Sequence, residues 1–145
     1  MSLSSIITSL NDAVSNILGN NWQELQYIYQ LEDNTFRSGD SRFGVGVNDG
    51  SSVAGTNKAV TLDFSFFVVL TKTFVNRSND ISERASISDI YDQFDSINKN
   101  IFQKKLNNVN ILLVQDINFE APERVDTSTI SVKCNYTIKY RSETT

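Results

Sequence analysis

Apolar residues at the start of the chain recur at a helical interval. Ile6, Ile7, Leu10, Val14, Ile17 and Leu18 form one stripe, and Gly19 stands where a helix is expected to stop, so a helix is predicted over 4–18. The period then drops to two. Leu25, Tyr27, Tyr29 and Leu31 alternate with Glu24, Gln26 and Gln30, which predicts a strand over 24–31. A polar stretch over 32–41 leads to a short strand at 42–47, interrupted by Gly44 and Gly46. Residues 48–58 are turn-rich, a connection of the kind that moves freely or is ordered by a partner. The strongest strand signal follows over 59–74, where Val60, Leu62, Phe64, Phe66, Val68 and Leu70 alternate with Thr61, Asp63, Ser65, Phe67, Val69 and Thr71. Sixteen residues at about 3.3 Å each reach roughly 50 Å, so this strand must bend or project beyond a small core. Between Phe66 and Leu70 both faces are apolar, which calls for cover on each side.

Residues 76–86 read as a second polar loop. A second helix is predicted from about 86 or 88 to 106, with Ile87, Ile90, Tyr91, Phe94, Ile97, Ile101 and Phe102 as its stripe. Asp89 and Asp92 in its early turns and Lys99, Lys104 and Lys105 in its last suit the helix dipole. A strand at 109–119 precedes a break around the only proline, Pro122, with 119–126 as a flexible connection. The cleanest alternation runs over 125–141: Ile130, Val132, Cys134, Tyr136, Ile138 and Tyr140 on one side, Thr129, Ser131, Lys133, Asn135, Thr137 and Lys139 on the other. The order α-β-β-β-α-β-β in one domain over 1–145 predicts an α+β fold. Two helices pack on one face of a mostly antiparallel or mixed sheet of about five strands, with a long strand or hairpin projecting.

Composition narrows the chemistry. Among 145 residues there is no His and a single Cys, Cys134. Histidine-based nucleophilic sites, ordinary nitrogen- or sulfur-ligated zinc sites and an intrachain disulfide are therefore excluded. Thirteen basic against 17 acidic residues give a net charge of −4 with no basic stripe, which argues against tight nucleic-acid binding. The longest apolar block, 66–70, is too short to span a bilayer, and the first residues lack the basic and apolar regions of a secretion signal. A soluble protein of intracellular origin, without membrane contact, is expected.

Short motifs contribute little. The glycines of 44–50 and 50–58 miss the spacing of nucleotide-binding loops and precede no helix, so turn glycine is the better reading. Asp89, Asp92 and Asp95 could face a cation, but a solvated helix face gives the same pattern. Asp33 and Asp40, with Arg37 and Arg42 nearby, could form a ligand or interface cluster, against the plainer reading of surface ion pairs. Asp63, opposite the Phe64 face, suits a surface that a neighbouring subunit covers. Cys134 reads as a small core residue. No base, nucleophile and oxyanion site assemble, so no catalysis and no cofactor are expected.

Several segments together look familiar: Leu31-Glu-Asp-Asn, Arg42-Phe-Gly-Val, a flexible loop, Val60-Thr-Leu-Asp-Phe-Ser-Phe-Phe-Val-Val-Leu70, Asp89-Ile-Tyr-Asp-Gln-Phe-Asp95 and Lys139-Tyr-Arg141. Over nearly the full chain this order resembles the tail terminator, or tail completion, proteins of long-tailed bacteriophages. The resemblance implies a ring-forming virion protein, usually hexameric, assembled in the host cytoplasm. It would cap the head-proximal end of the tail tube and join it to the neck connector. Implied partners are copies of itself, the tail tube protein, the head–tail connector, a sheath if the tail is contractile, and DNA passing through the lumen without sequence-specific binding.

Heterologous ring closure would then place subunit or partner contacts at Asn48, Asp49, Ser51, Val53 and Thr56, at Asp63, Ser65 and Phe67, and at Arg77 and Asp80. These would meet the open face of the last strand at Lys133, Asn135 and Arg141. Other head–tail connectors, tube subunits or baseplate parts are the nearest alternatives. Pro122-Glu-Arg124 scrambles the Glu-Pro-Arg order of sheath initiators, which counts against that reading. From another class, a small-molecule-binding α+β domain would need a pocket between helix and sheet.

Overall fold

The computed structural model describes residues 3–37, 39–48, 52–55, 59–74, 80–102 and 111–143. It is an α+β fold: two helices, α1 (Leu3–Leu18) and α2 (Asp80–Phe102), lie on one face of a mixed sheet of seven strands. The strands are β1 (Gln23–Glu24), β2 (Ser41–Val47), β3 (Ser52–Gly55), β4 (Ala59–Thr73), β5 (Ile111–Phe119), β6 (Glu123–Asp126) and β7 (Thr129–Glu143). Their order is β1-β2-β4-β7-β5, with β3 pairing β4 beyond the end of β2 and β6 pairing β7 beyond the end of β5. Only the β1–β2 pair is parallel.

The spine is an antiparallel ladder in which all 15 residues of β4 pair with all 15 of β7, from Ala59↔Glu143 to Thr73↔Thr129. The two alternating patterns demand it. Phe64, Phe66, Val68 and Leu70 meet Ile130, Val132, Cys134, Tyr136 and Ile138 on the helix face, all at most 3% exposed. Leu10 and Val14 of α1 and Ile90, Phe94 and Ile97 of α2 close that layer. Each such side chain contributes about 1.5–3 kcal/mol by leaving water. Phe66 stacks on Tyr136 with ring centroids 5.0 Å apart.

From Ile7 to Leu18 and from Ile87 to Ile97 the helix stripes pack on the core as the spacing predicts, the side chains of Ile6, Ile101 and Phe102 lie outside those described, and Gly19 ends α1 at φ +85°. Four expectations are corrected. Strand character over 24–31 ends at Glu24, and the chain instead crosses the second sheet face as an irregular strap with a 3₁₀ turn at Leu31–Asp33. The connection at 48–58 contains β3, paired antiparallel with β4 at Val53↔Leu62. The polar stretch at 76–86 is already helical from Asp80, while 103–106, the end of the predicted helix, lie outside the described residues. The alternation predicted over 125–141 is split by a turn at 127–128 into β6 and β7, so the connection at 119–126 is half strand.

Three contacts fix α2 on the sheet: Glu83 with Arg124 of β6, Asp89 with Lys72 of β4, and the Tyr136 hydroxyl of β7 donating to Asn98 Oδ1. β7 runs seven residues past Tyr136, about 24 Å. Beyond the Phe64↔Ile138 pair the β4–β7 ladder continues for five more pairs, flanked by β3 on β4 and by β5 on β7.

Candidate interaction site

The second face of the sheet is half covered by the strap and half polar. Leu25, Phe67 and Val69 form a separate small core there, with Ile28, Leu31 and Phe36 packed against it. The strap is held in shape by Asn34. Its Oδ1 accepts the Tyr27 N–H at 2.9 Å, and its Nδ2 donates to the Tyr27 and Leu31 carbonyls at 2.7 and 3.1 Å. Tyr27 and Tyr29, placed with Leu25 and Leu31 by the period-two pattern, are instead 44% and 66% exposed.

Gly44 and Gly46 are strand residues, not turn residues, and the strap explains them. A Cβ on Gly44 would stand 3.1 Å from Ile28, and one on Gly46 only 2.3 Å from the Phe67 ring. Phe67 therefore lies flat over Gly46, with Tyr29 edge-on at 5.6 Å and the Lys133 ammonium 4.5 Å above the ring centroid. The Tyr29 hydroxyl accepts the N–H of Val47 at 2.8 Å, and the Leu25 N–H donates to the Phe43 carbonyl at 2.8 Å. Backbone groups on the outer edge of β2 are thus engaged by the strap.

Toward the projecting end the same face turns polar. Asn48 Nδ2 donates to Asn135 Oδ1 at 2.6 Å, and Asn135 Nδ2 donates to Glu120 Oε2 at 2.9 Å. This relay ties the end of β2 across β7 to the end of β5. Beside it, Ser65 and Thr137 share a hydrogen bond at 3.3 Å, and Asp63 pairs in register with Lys139.

The structure brings Asn48, Ser65, Phe67, Lys133 and Asn135 onto one face within a single chain. Phe67 is only 2% exposed, however, so the strap supplies in the same chain the cover expected from a neighbour. Val53, Asp80 and Arg141 are placed by backbone alone, in β3, at the start of α2 and opposite Thr61 in β7. Asp49, Ser51, Thr56 and Arg77 lie outside the described residues. Tyr29 and Glu120 were not anticipated. The signal for Tyr29 was available in two strand glycines, which mark a place where something large comes close.

Two cavities border the strap. One, of about 240 Å³, lies between it and β6–β7, where Glu32, Glu123, Arg124 and Lys133 mix both signs of charge with Ile28 and Leu31. The other, of about 320 Å³, lies at the β1–β2 margin and is lined by Gln23, Gln26, Thr35, Arg37, Asp40 and Arg42. A turn closed by Gly39 at φ +82° builds it: Asp40 Oδ2 accepts the Arg37 N–H at 2.8 Å, and the Asp40 N–H donates to the Arg37 carbonyl at 3.0 Å. Asp40 also pairs with Arg42 at 3.3 Å, whose guanidinium sits 6.0 Å from the Phe36 ring centroid. Of the charged quartet read in the sequence, Arg37, Asp40 and Arg42 converge, while Asp33 belongs to the 3₁₀ turn.

Titratable groups elsewhere serve the fold. The Arg124 guanidinium beside Glu83 holds its carboxyl below the usual range. Burial pushes the Cys134 thiol up from 9.0 to about 11 and raises the neighbouring Tyr136 hydroxyl far above its ordinary value. Asp89 is taken by Lys72, and Asp92 and Asp95 face solvent. Among the described residues no three carboxylate or thiol side chains converge as a metal site. No described helix is long and apolar enough to cross a membrane. Neither a protein-family model nor a curated protein matches the chain.

Proposed function

We propose that this chain is the subunit of a closed ring in a bacteriophage virion, a tail terminator that caps the head-proximal end of the tail tube and joins it to the neck. The observation that carries this reading is the β4–β7 ladder of 15 pairs, whose second face is covered by the strap over Phe67 and Val69 and carries partly exposed polar side chains at Asn48, Asn135 and Lys139. Hydrogen-bonding side chains left partly exposed on a long sheet face suit the polar part of a protein–protein interface. A ring of identical copies supplies the other side of that interface through heterologous contacts.

The rest of the molecule suits assembly. The second face carries hydrogen-bonded amides and hydroxyls, an arrangement fitted to recognition and not to bond-breaking chemistry. The net charge of −4 suits a lumen past which nucleic acid slides without sticking. Tube protein, connector, passing DNA and, in a contractile tail, sheath are the partners of this role. The virion tail and neck are its location.

Light scattering on the purified chain tests the reading. The expected molar mass is a fixed multiple of the subunit, six for the usual ring. A subunit mass that persists at the highest concentration reached overturns it.

A further inference from the structure

We infer that the cavity at the β1–β2 margin is a carboxylate receptor for a second copy of this chain. Arg37 and Arg42 of one subunit take the acidic margin of the next, at Glu120, Glu123 and Asp126. The inference rests on the ring reading and names its contact.

Three observations converge on it. The first is the state of charge in the cavity. Two guanidinium groups line it beside a single carboxylate, Asp40, which is committed to the Arg42 guanidinium and to the Arg37 backbone N–H. The Arg37 side chain is exposed and has no carboxylate within ion-pair distance among the described residues. A planar guanidinium presents paired donors matched to a carboxylate, and Gln23, Gln26 and Thr35 add neutral hydrogen-bonding groups around it.

The second is the opposite margin of the same sheet. Asp116, Glu120, Glu123 and Asp126 are all exposed there on β5, β6 and the link between them. Arg124, the cation in their midst, is engaged with Glu83 on α2. Strand alternation places Arg42 on the second face of the sheet. It places Asp116 there too, through its pairing with Thr137, and Glu123, through its pairing with Ser131. Receptor and acidic margin therefore share a face and lie at opposite sides of the sheet, as a head-to-tail contact requires.

The third is what the edges permit. The Tyr29 hydroxyl and the Leu25 N–H engage the outer edge of β2, which obstructs the addition of a neighbour's strand there. On the other margin, register shifts in β5 and β6 roughen the edge against extended pairing. A contact between these two margins must be made by side chains, and charge is what they offer.

The test is a charge swap read by sedimentation velocity. Arg37→Glu alone and Glu123→Lys/Asp126→Lys alone should each weaken self-association about tenfold or more, because like charges then face each other. Mixed in equal amounts the two variants should assemble, since each now presents the margin that the other's cavity accepts. Circular dichroism checks that each variant is folded, and Arg37→Ala replaces Arg37→Glu if that variant melts early. Wild type that assembles while the variants assemble equally well overturns this contact and leaves the ring standing. Variants that fail alone and stay apart when mixed overturn it too. Wild type that never leaves the monomer overturns the contact and the ring together.

Discussion

A methyl group on Gly46 would press into the Phe67 ring at 2.3 Å, whereas one on Gly44 would meet the flexible end of Ile28 at 3.1 Å. The ring is held by Tyr29 and Lys133 and cannot yield without uncovering the second core. Gly46→Ala should therefore cost about 1–3 kcal/mol in urea unfolding, as overpacking does, and Gly44→Ala distinctly less. Cys134 gives a second test at this scale. Its buried thiol is favoured in the neutral form, so its contribution to stability is fully present below pH 9.0 and is lost as the pH rises through about 11. The denaturation midpoint of wild type should fall across that window more steeply than that of Cys134→Ala. The native thiol should also resist alkylation until the chain unfolds.

At the scale of elements, the sequence made most legible what buries a whole face. α1, β2, β4 and the main part of β7 follow from periodicity because their apolar residues face one continuous layer. The strap misleads for a physical reason. Leu25 and Leu31 are spaced as in a strand, but the turns between them send Tyr27 and Tyr29 outward, and the glycines that leave room for the strap, Gly44 and Gly46, lie on another element, outside its own pattern. β3, Ser-Val-Ala-Gly, has too little apolar content to announce itself and exists through its pairing with β4. The early start of α2 is likewise set by tertiary contact, since Glu83 reaches Arg124 on β6. Glu83 titrates below its ordinary value because it is bonded to that guanidinium. The contact is present above the usual carboxyl range and fades as the pH falls through the lowered value. Glu83→Gln should lower the melting temperature slightly at neutral pH, and the difference should vanish once wild-type Glu83 is itself protonated.

On the scale of the whole molecule, the sheet has two unlike margins. One is engaged by the strap and presents arginines; the other is irregular at its edge and presents carboxylates. Half of this was legible in advance. The polar face of β7, with Lys133 and Asn135, and the charged group around Arg37 and Arg42 could be picked out by residue type. Their positions relative to one another could not, because strand order and the path of the strap set them. The cover that the alternating strands called for comes partly from the chain itself, over Phe67 and Val69, and the proposed ring would meet the remaining need on the polar half of that face. Negative-stain projections of the wild-type protein test that need most directly. Closed rings of uniform diameter with one rotational symmetry, six for the usual case, are the predicted image. A field of single compact particles, with no rings at any concentration, would contradict the account.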